Sequence, residues 1–202
     1  KKKFDLITMQ INKSIFKKKM NFIGMTEYLG KINECETMML MYGEMFSVIP
    51  LTTHINLKNI HKNLNKIKIK KKLNIMMNLL NSKKYNLNFS IFKFLCYNPH
   101  CGENATIGNE DKLINQLISK YFKNILGPYP ADSAFTNFKK NTLFISTYHD
   151  QALIPYKIIN KKGFNFTLGL NYRRLSPAHG TAKDIKFKNK SDNTSYLACM
   201  LS

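Results

Sequence analysis

Three apolar runs each give way to a short polar segment that carries a histidine. Phe46-Ser47-Val48-Ile49-Pro50-Leu51 leads into Thr52-Thr53-His54, residues 89–95 lead into Cys96-Tyr97-Asn98-Pro99-His100, and residues 143–147 lead into Tyr148-His149. Runs of this length and composition predict strands. Helical patterns separate them. Residues 57–80 place Ile60, Leu64, Ile67, Met76 and Leu80 near a 3.6-residue period among Lys and Asn, with a break expected around Lys70, Lys71 and Lys72. Residues 110–125 repeat the pattern with Leu113, Leu117, Ile118, Tyr121, Phe122 and Ile125, behind the acidic start Glu110-Asp111. Further strands are predicted at 4–9 and 164–168. Further helical segments are predicted at 12–20, from Thr26 as N-cap, from Thr181 and from Asn193, and a rigid turn-rich loop at 127–132. Strands alternating with helices constrain the chain to an α/β fold with a largely parallel or mixed sheet. With no internal repeat and no flexible linker, residues 1–202 read as one folded unit.

In such sheets ligands gather at the C-terminal ends of the strands, and that is where the three histidines fall. Neutral imidazole is a good ligand for zinc and similar ions. One reading brings His54, His100 and His149 to a common divalent metal; the other leaves them as unrelated surface or capping residues. Cys96, His100 and Cys101 hint at a zinc knuckle but lack a second half. The four cysteines form no CxxC pair and read as reduced thiols of a cytoplasmic protein. No apolar run approaches the length of a membrane span.

The formal charge of +20 invites a nucleic-acid reading. Of the 32 basic residues only Arg173 and Arg174 are arginines, and specific phosphate and base readers rely on Arg as much as on Lys. Asn and Ile are inflated together with Lys, as an AT-rich coding sequence produces, so the charge implies nonspecific attraction to polyanions and no specific nucleic-acid partner. Lys157, Asn165 and Arg174 form a more pointed group, since a phosphate or carboxylate is held by an Arg fork, a Lys point charge and a neutral amide. The alternative for them is a solvated basic turn. His179-Gly180-Thr181-Ala182 resembles a loop opening a helix, where backbone N–H groups meet a pyrophosphate, although the chain has no GxGxxG.

Several motifs in order carry a more specific signal. They are Gly24-Met25-Thr26-Glu27, Thr52-Thr53-His54, Asn98-Pro99-His100-Cys101-Gly102-Glu103, Gly127-Pro128-Tyr129-Pro130-Ala131-Asp132, Tyr148-His149-Asp150-Gln151, Asn165-Phe166-Thr167-Leu168-Gly169-Leu170 and His179-Gly180-Thr181-Ala182-Lys183-Asp184. Over essentially the whole chain these resemble the 4-hydroxythreonine-4-phosphate dehydrogenase family of vitamin B6 biosynthesis, with about the first third of the family's length expected to be missing. The resemblance implies an α/β fold like the isocitrate and isopropylmalate dehydrogenases, with two α/β subdomains around a central cleft. It implies a homodimer with shared active sites, in which His54 and His100 reach His149 from the partner subunit.

The implied reaction is oxidation of 4-phosphooxy-L-threonine by NAD or NADP with decarboxylation to 3-amino-2-oxopropyl phosphate. His54, His100 and His149 become ligands of a divalent metal (Zn, Mg or Co). Met25, Thr26, Lys157, Asn165 and Arg174 become substrate contacts, Asp150 and Lys157 catalytic groups, and His179, Gly180, Thr181 and Asp184 the cofactor loop. The chain departs from the pattern at Met25, where the family carries His, at Ala152 for Gly, at Asn171 for Pro and over Ser176-Pro177-Ala178. These departures keep two alternatives open: a dehydrogenase of another phosphorylated hydroxy acid, and a non-catalytic remnant.

Overall fold

The computed structural model describes residues 5–12 and 22–202. It is an α/β chain in two compact units, one formed by the residues up to Glu44 together with Asn160–Ser202, the other by Met45–Ile159. The first unit holds β1 (Asp5–Ile7), α1 (Met25–Ile32), β2 (Met38–Gly43), β7 (Gly163–Leu168), β8 (Arg173–Pro177) and α7 (Thr194–Met200). Its strands lie in the order β1-β8-β7-β2, with β1 parallel to β8 and the other pairs antiparallel. Leu40, Phe166, Leu168 and Leu175 are fully buried between sheet and helices. The Ser195 hydroxyl fixes α7 to the strands by donating to the Gly163 carbonyl and accepting the Ala178 N–H at 2.7 Å.

Gly169 ends β7 at φ +106°, and a Cβ there would run into the Glu36 carbonyl oxygen. Both the left-handed backbone and the close approach demand glycine. Gly169→Ala is therefore expected to lower stability by about 3 kcal/mol, seen as a fall of roughly 10 °C in the thermal midpoint. An unchanged midpoint would mean that this turn shifts at no cost.

The second unit holds β3 (Phe46–Pro50), α2 (Ile60–Asn63), α3 (Lys66–Leu80), β4 (Ile91–Leu95), α4 (Glu110–Tyr121), β5 (Ile125–Tyr129), α5 (Ala131–Ala134), β6 (Thr142–Ser146) and α6 (His149–Ile159). Its four strands are all parallel, in the order β3-β6-β4-β5. β6 is buried along its whole length, as a central parallel strand covered on both faces must be. Phe46 anchors the core, with its ring 4.8 Å from Phe138, 5.2 Å from Phe144 and 5.3 Å from Phe135.

Several boundaries differ from the sequence reading. The helix break falls at Asn65, whose side chain accepts the Lys68 N–H and caps α3, and α3 runs through Lys70–72 unbroken because lysine is a good helix former. The second helix stops at Tyr121, and Ile125–Tyr129 is a strand where a turn-rich loop was expected; the Gly127–Pro128 bond within it is cis. Gly24, not Thr26, is the N-cap of α1. No helix starts at Thr181, where only a three-residue 3-10 turn at Lys183–Ile185 forms. The four reduced thiols expected are two: Cys96 and Cys101 are joined in a disulfide with Cα atoms 5.1 Å apart, so neither is a knuckle ligand, while Cys35 and Cys199 are free. The helical segment expected at 12–20 lies, from residue 13 on, outside the described residues.

Candidate functional site

The parallel register of the second unit sets three strand ends level. Pro50 is paired with Ser146, and Phe94 with Ile145, so β3, β6 and β4 stop in one row. His54, His149 and His100 follow those ends by four, three and five residues. The His54 and His149 rings face each other with centroids 5.7 Å apart and planes tilted by 42°. That separation is compatible with two imidazoles bound to one ion through nitrogens about 2.1 Å from it. His149 Nδ1 is 2.6 Å from Asp150 Oδ1. A carboxylate on one ring nitrogen fixes the tautomer and leaves Nε2 to coordinate.

Among the described residues no three His, Cys, Asp or Glu side chains converge on one point. Within this chain it is His54 and His149 that lie close to each other. His100 stands exposed on a different backbone. Residues His100, Cys101, Glu103, Asn104 and Ala105 all have positive φ, between 44° and 75°. Left-handed backbone is costly for residues with a Cβ and persists only where surroundings hold it. Here Asp111, 2% exposed, accepts the N–H groups of Tyr97 at 2.6 Å and Asn98 at 2.9 Å, and the disulfide closes the loop beyond His100.

In the first unit, Thr26 and Arg174 are brought together by Thr167. The Thr26 and Thr167 hydroxyls are 3.3 Å apart, and Arg174 Nη1 donates to Thr167 Oγ1 at 2.9 Å. Arg174 Nε donates to Thr8 Oγ1 at 3.0 Å. The guanidinium is 3% exposed, and desolvation lowers its pKa to about 10, partly offset by Cys199, Tyr172 and Glu27. Asn165 lies two residues before Thr167 on β7, hence on the same face of the strand. Its buried Oδ1 has no hydrogen-bond partner among the described residues. A buried cation whose hydrogen bonds end on hydroxyls, near an orphaned amide oxygen, is suited to an anionic ligand that carries hydroxyl or amine donors.

The remaining nominated residues are less joined. Met25 is the half-buried first residue of α1, and Lys157 stands exposed on α6 of the second unit. His179, Gly180, Thr181 and Asp184 are exposed, His179 Nδ1 lies 2.9 Å from the Gly180 carbonyl, and a Cβ at Gly180 would meet nothing within 4 Å. That backbone is open to a ligand, without the helix N-terminus the sequence suggested. Thr8, Thr167, Thr52, Gln151 and Asp111 were not nominated. For Thr167 a signal existed, since its spacing from Asn165 on a predicted strand puts both on one face.

Known proteins match this chain in sequence and in fold. The chain is 40% identical over 192 residues to the 4-hydroxythreonine-4-phosphate dehydrogenase of Hydrogenobaculum sp., covering 93% of this chain and 61% of that protein. It is 39% identical to the enzyme of the same name from Aquifex aeolicus, covering 95% and 62%. The crystal structure of 4-hydroxythreonine-4-phosphate dehydrogenase from Klebsiella pneumoniae superposes with a TM-score of 0.74 at 27% identity, over 98% of this chain and 64% of that one. The chain thus spans about three fifths of the length of the curated relatives it matches. Residues 1–201 match the family described as pyridoxal phosphate biosynthetic protein PdxA, and the chain belongs to that family.

Proposed function

We propose that the protein is a metal-dependent NAD(P) oxidoreductase that oxidises 4-phosphooxy-L-threonine, with loss of CO2, to 3-amino-2-oxopropyl phosphate for pyridoxine 5'-phosphate synthesis in the cytoplasm. The observation that carries the reading is the row of level strand ends with the His54 and His149 rings 5.7 Å apart. His54, His149 and His100 would hold a divalent ion (zinc, magnesium or cobalt), shared across a homodimer. When bound, such an ion would supply Lewis-acid polarisation of the substrate's hydroxyl and carboxylate, and NAD or NADP would supply the hydride acceptor.

The chain's own residues do the rest. Asp150 orients His149 through the Nδ1 contact. Arg174, steadied by Thr8 and Thr167, clamps an anionic group of the substrate, and the Thr26 hydroxyl sits at the same cluster. Asn165 Oδ1 accepts from a substrate hydroxyl or amine. Lys157, exposed on α6, adds a point charge and a proton donor for the enol left when CO2 departs. His179, Gly180, Thr181 and Asp184 line the open loop offered to the nucleotide. No helix among the described residues is long and apolar enough to cross a membrane.

The test is NADH or NADPH formation from 4-phosphooxy-L-threonine by the full-length protein with zinc, cobalt or magnesium added in turn. Turnover with at least one metal is expected; none with any metal refutes the reading. A second reading rests on Met25. Placed beside Thr26, it offers neither charge nor a hydrogen-bond donor to the substrate. Higher kcat/KM for another phosphorylated hydroxy acid in a substrate panel would favour it.

A further inference from the structure

The backbone ladder between β3 and β6 ends with the Leu51 N–H donating to the Ser146 carbonyl at 2.8 Å. Beyond that point the three histidine-bearing loops are joined by side chains. The Thr52 hydroxyl donates to the Thr147 carbonyl at 2.7 Å, tying the β3 end to the β6 end. Gln151 Oε1 accepts both the Thr147 N–H at 2.9 Å and the Thr147 hydroxyl at 3.0 Å. Gln151 Nε2 donates to the Cys96 carbonyl at 2.7 Å, tying the β6 end to the β4 end. Thr52, Thr147 and Cys96 are 4%, 0% and 1% exposed, so these bonds are shielded from competing water.

Gln151 also rides in the first turn of α6, two residues after His149. One planar amide therefore connects the helix start that carries His149, the β6 end beneath it and the β4 end from which the His100 loop departs. Only a side chain with an acceptor and a donor on one short rigid group can make all three bonds.

We propose that Gln151 is a positioning residue for His100: it ties the loop that carries His100 to the β6 end of its own chain and so sets how firmly that imidazole is held for the metal site it serves. The inference deepens the metal reading above and rests on it. It holds whichever subunit's site the His100 ring enters, because every chain of the assembly carries the same link. Gln151→Glu separates the two ends of the link. The carboxylate keeps an acceptor for Thr147 but sets an oxygen against the Cys96 carbonyl, so the β4 end alone is released.

The experiment measures zinc binding by calorimetry and cobalt absorption spectra on the full-length protein, its Q151E, H100A and H149A variants and the Q151E/H100A double variant, with apo thermal midpoints alongside. Expected are about one ion per site in the parent and loss of binding in H149A. Q151E should bind roughly 10- to 100-fold more weakly, with a cobalt spectrum shifted towards that of H100A. In the H100A background Q151E should cost less than about threefold, because the contact it acts through is already gone. Equal affinity of Q151E and the parent, or the same fold-loss in both backgrounds, overturns the proposal. A parent that binds no metal overturns the metal reading itself, and this inference with it. Should Q151E not fold, Gln151→Met keeps the length of the side chain and removes its hydrogen bonds. It is then expected to weaken zinc binding in the parent and far less in the H100A background, and the same fold-loss in both backgrounds overturns the proposal.

Discussion

His149→Ala should cost the protein its metal and nearly all of its turnover while leaving the fold in place. His149 opens α6, with its side chain one-third exposed and outside the buried core of the second unit. Its ring faces His54 at 5.7 Å and is oriented by Asp150 at 2.6 Å. Removing it takes away one of the two imidazoles that a single chain brings together. A metal that polarises a hydroxyl contributes several kcal/mol to the chemical step, and a loss of roughly 4 kcal/mol is a fall of about a thousandfold in kcat. Metal content measured on the purified variant should drop in step, while the apo thermal midpoint should move by only about 2 °C. Asp150→Asn, which keeps the ligand and weakens its orientation, should lose roughly 10- to 100-fold in metal affinity. Full activity in H149A with metal retained would remove this site from the mechanism.

The histidine row was legible because its position depends on pattern alone. An apolar run followed by polar residues marks a strand end, and parallel pairing levels such ends whatever the side chains are. Other elements were hidden by their composition. β8 reads as a basic turn because Arg173 and Arg174 sit in it, yet Arg174 is buried there, and a strand's tolerance for a buried guanidinium depends on tertiary partners such as Thr8 that lie 166 residues away. β5 contains Gly127 and Pro128, both strand breakers in local terms, and is held by parallel pairing to β4 at the edge of its sheet. α6 carries Pro155 in its interior and was not read as a helix.

The side-chain links were the least legible part. Thr52, Thr147, Gln151 and Asp111 act by accepting or donating to backbone groups up to 95 residues away, and neutral hydroxyls and amides carry no charge pattern or period to betray that. The Cys96–Cys101 pairing was missed for a related reason. A separation of five residues matches no standard motif, and the chain must fold back through left-handed backbone to bring the two together.

Arg174→Met should separate binding from stability in the first unit. Arg174 is almost wholly buried, its hydrogen bonds to Thr8 and Thr167 end on neutral oxygens, and burial pushes its pKa down to about 10. At neutral pH it is charged in both folded and unfolded states, so the desolvation cost is present in full. The cost is relieved only as pH rises from about 10 towards the ordinary arginine range, where the folded state gives up its proton first. A depression of that size corresponds to roughly 3 kcal/mol against folding. An apolar side chain of similar length removes this cost and gives up the donors to two hydroxyls, worth about 1 kcal/mol each. Arg174→Met should therefore fold at least as stably as the parent, with a thermal midpoint equal or a few degrees higher. A cation that is costly without an anion is the natural partner for one, and loss of the charged fork should remove roughly 3 kcal/mol of substrate binding. KM for 4-phosphooxy-L-threonine should then rise by about a hundredfold or more, with kcat affected far less if the contact is made equally in the ground and transition states. Arg174→Lys should recover little, because an ammonium cannot span both Thr8 and Thr167 and the ligand. A variant that unfolds would assign Arg174 to the fold, and one that binds substrate as tightly as the parent would move the anion site elsewhere.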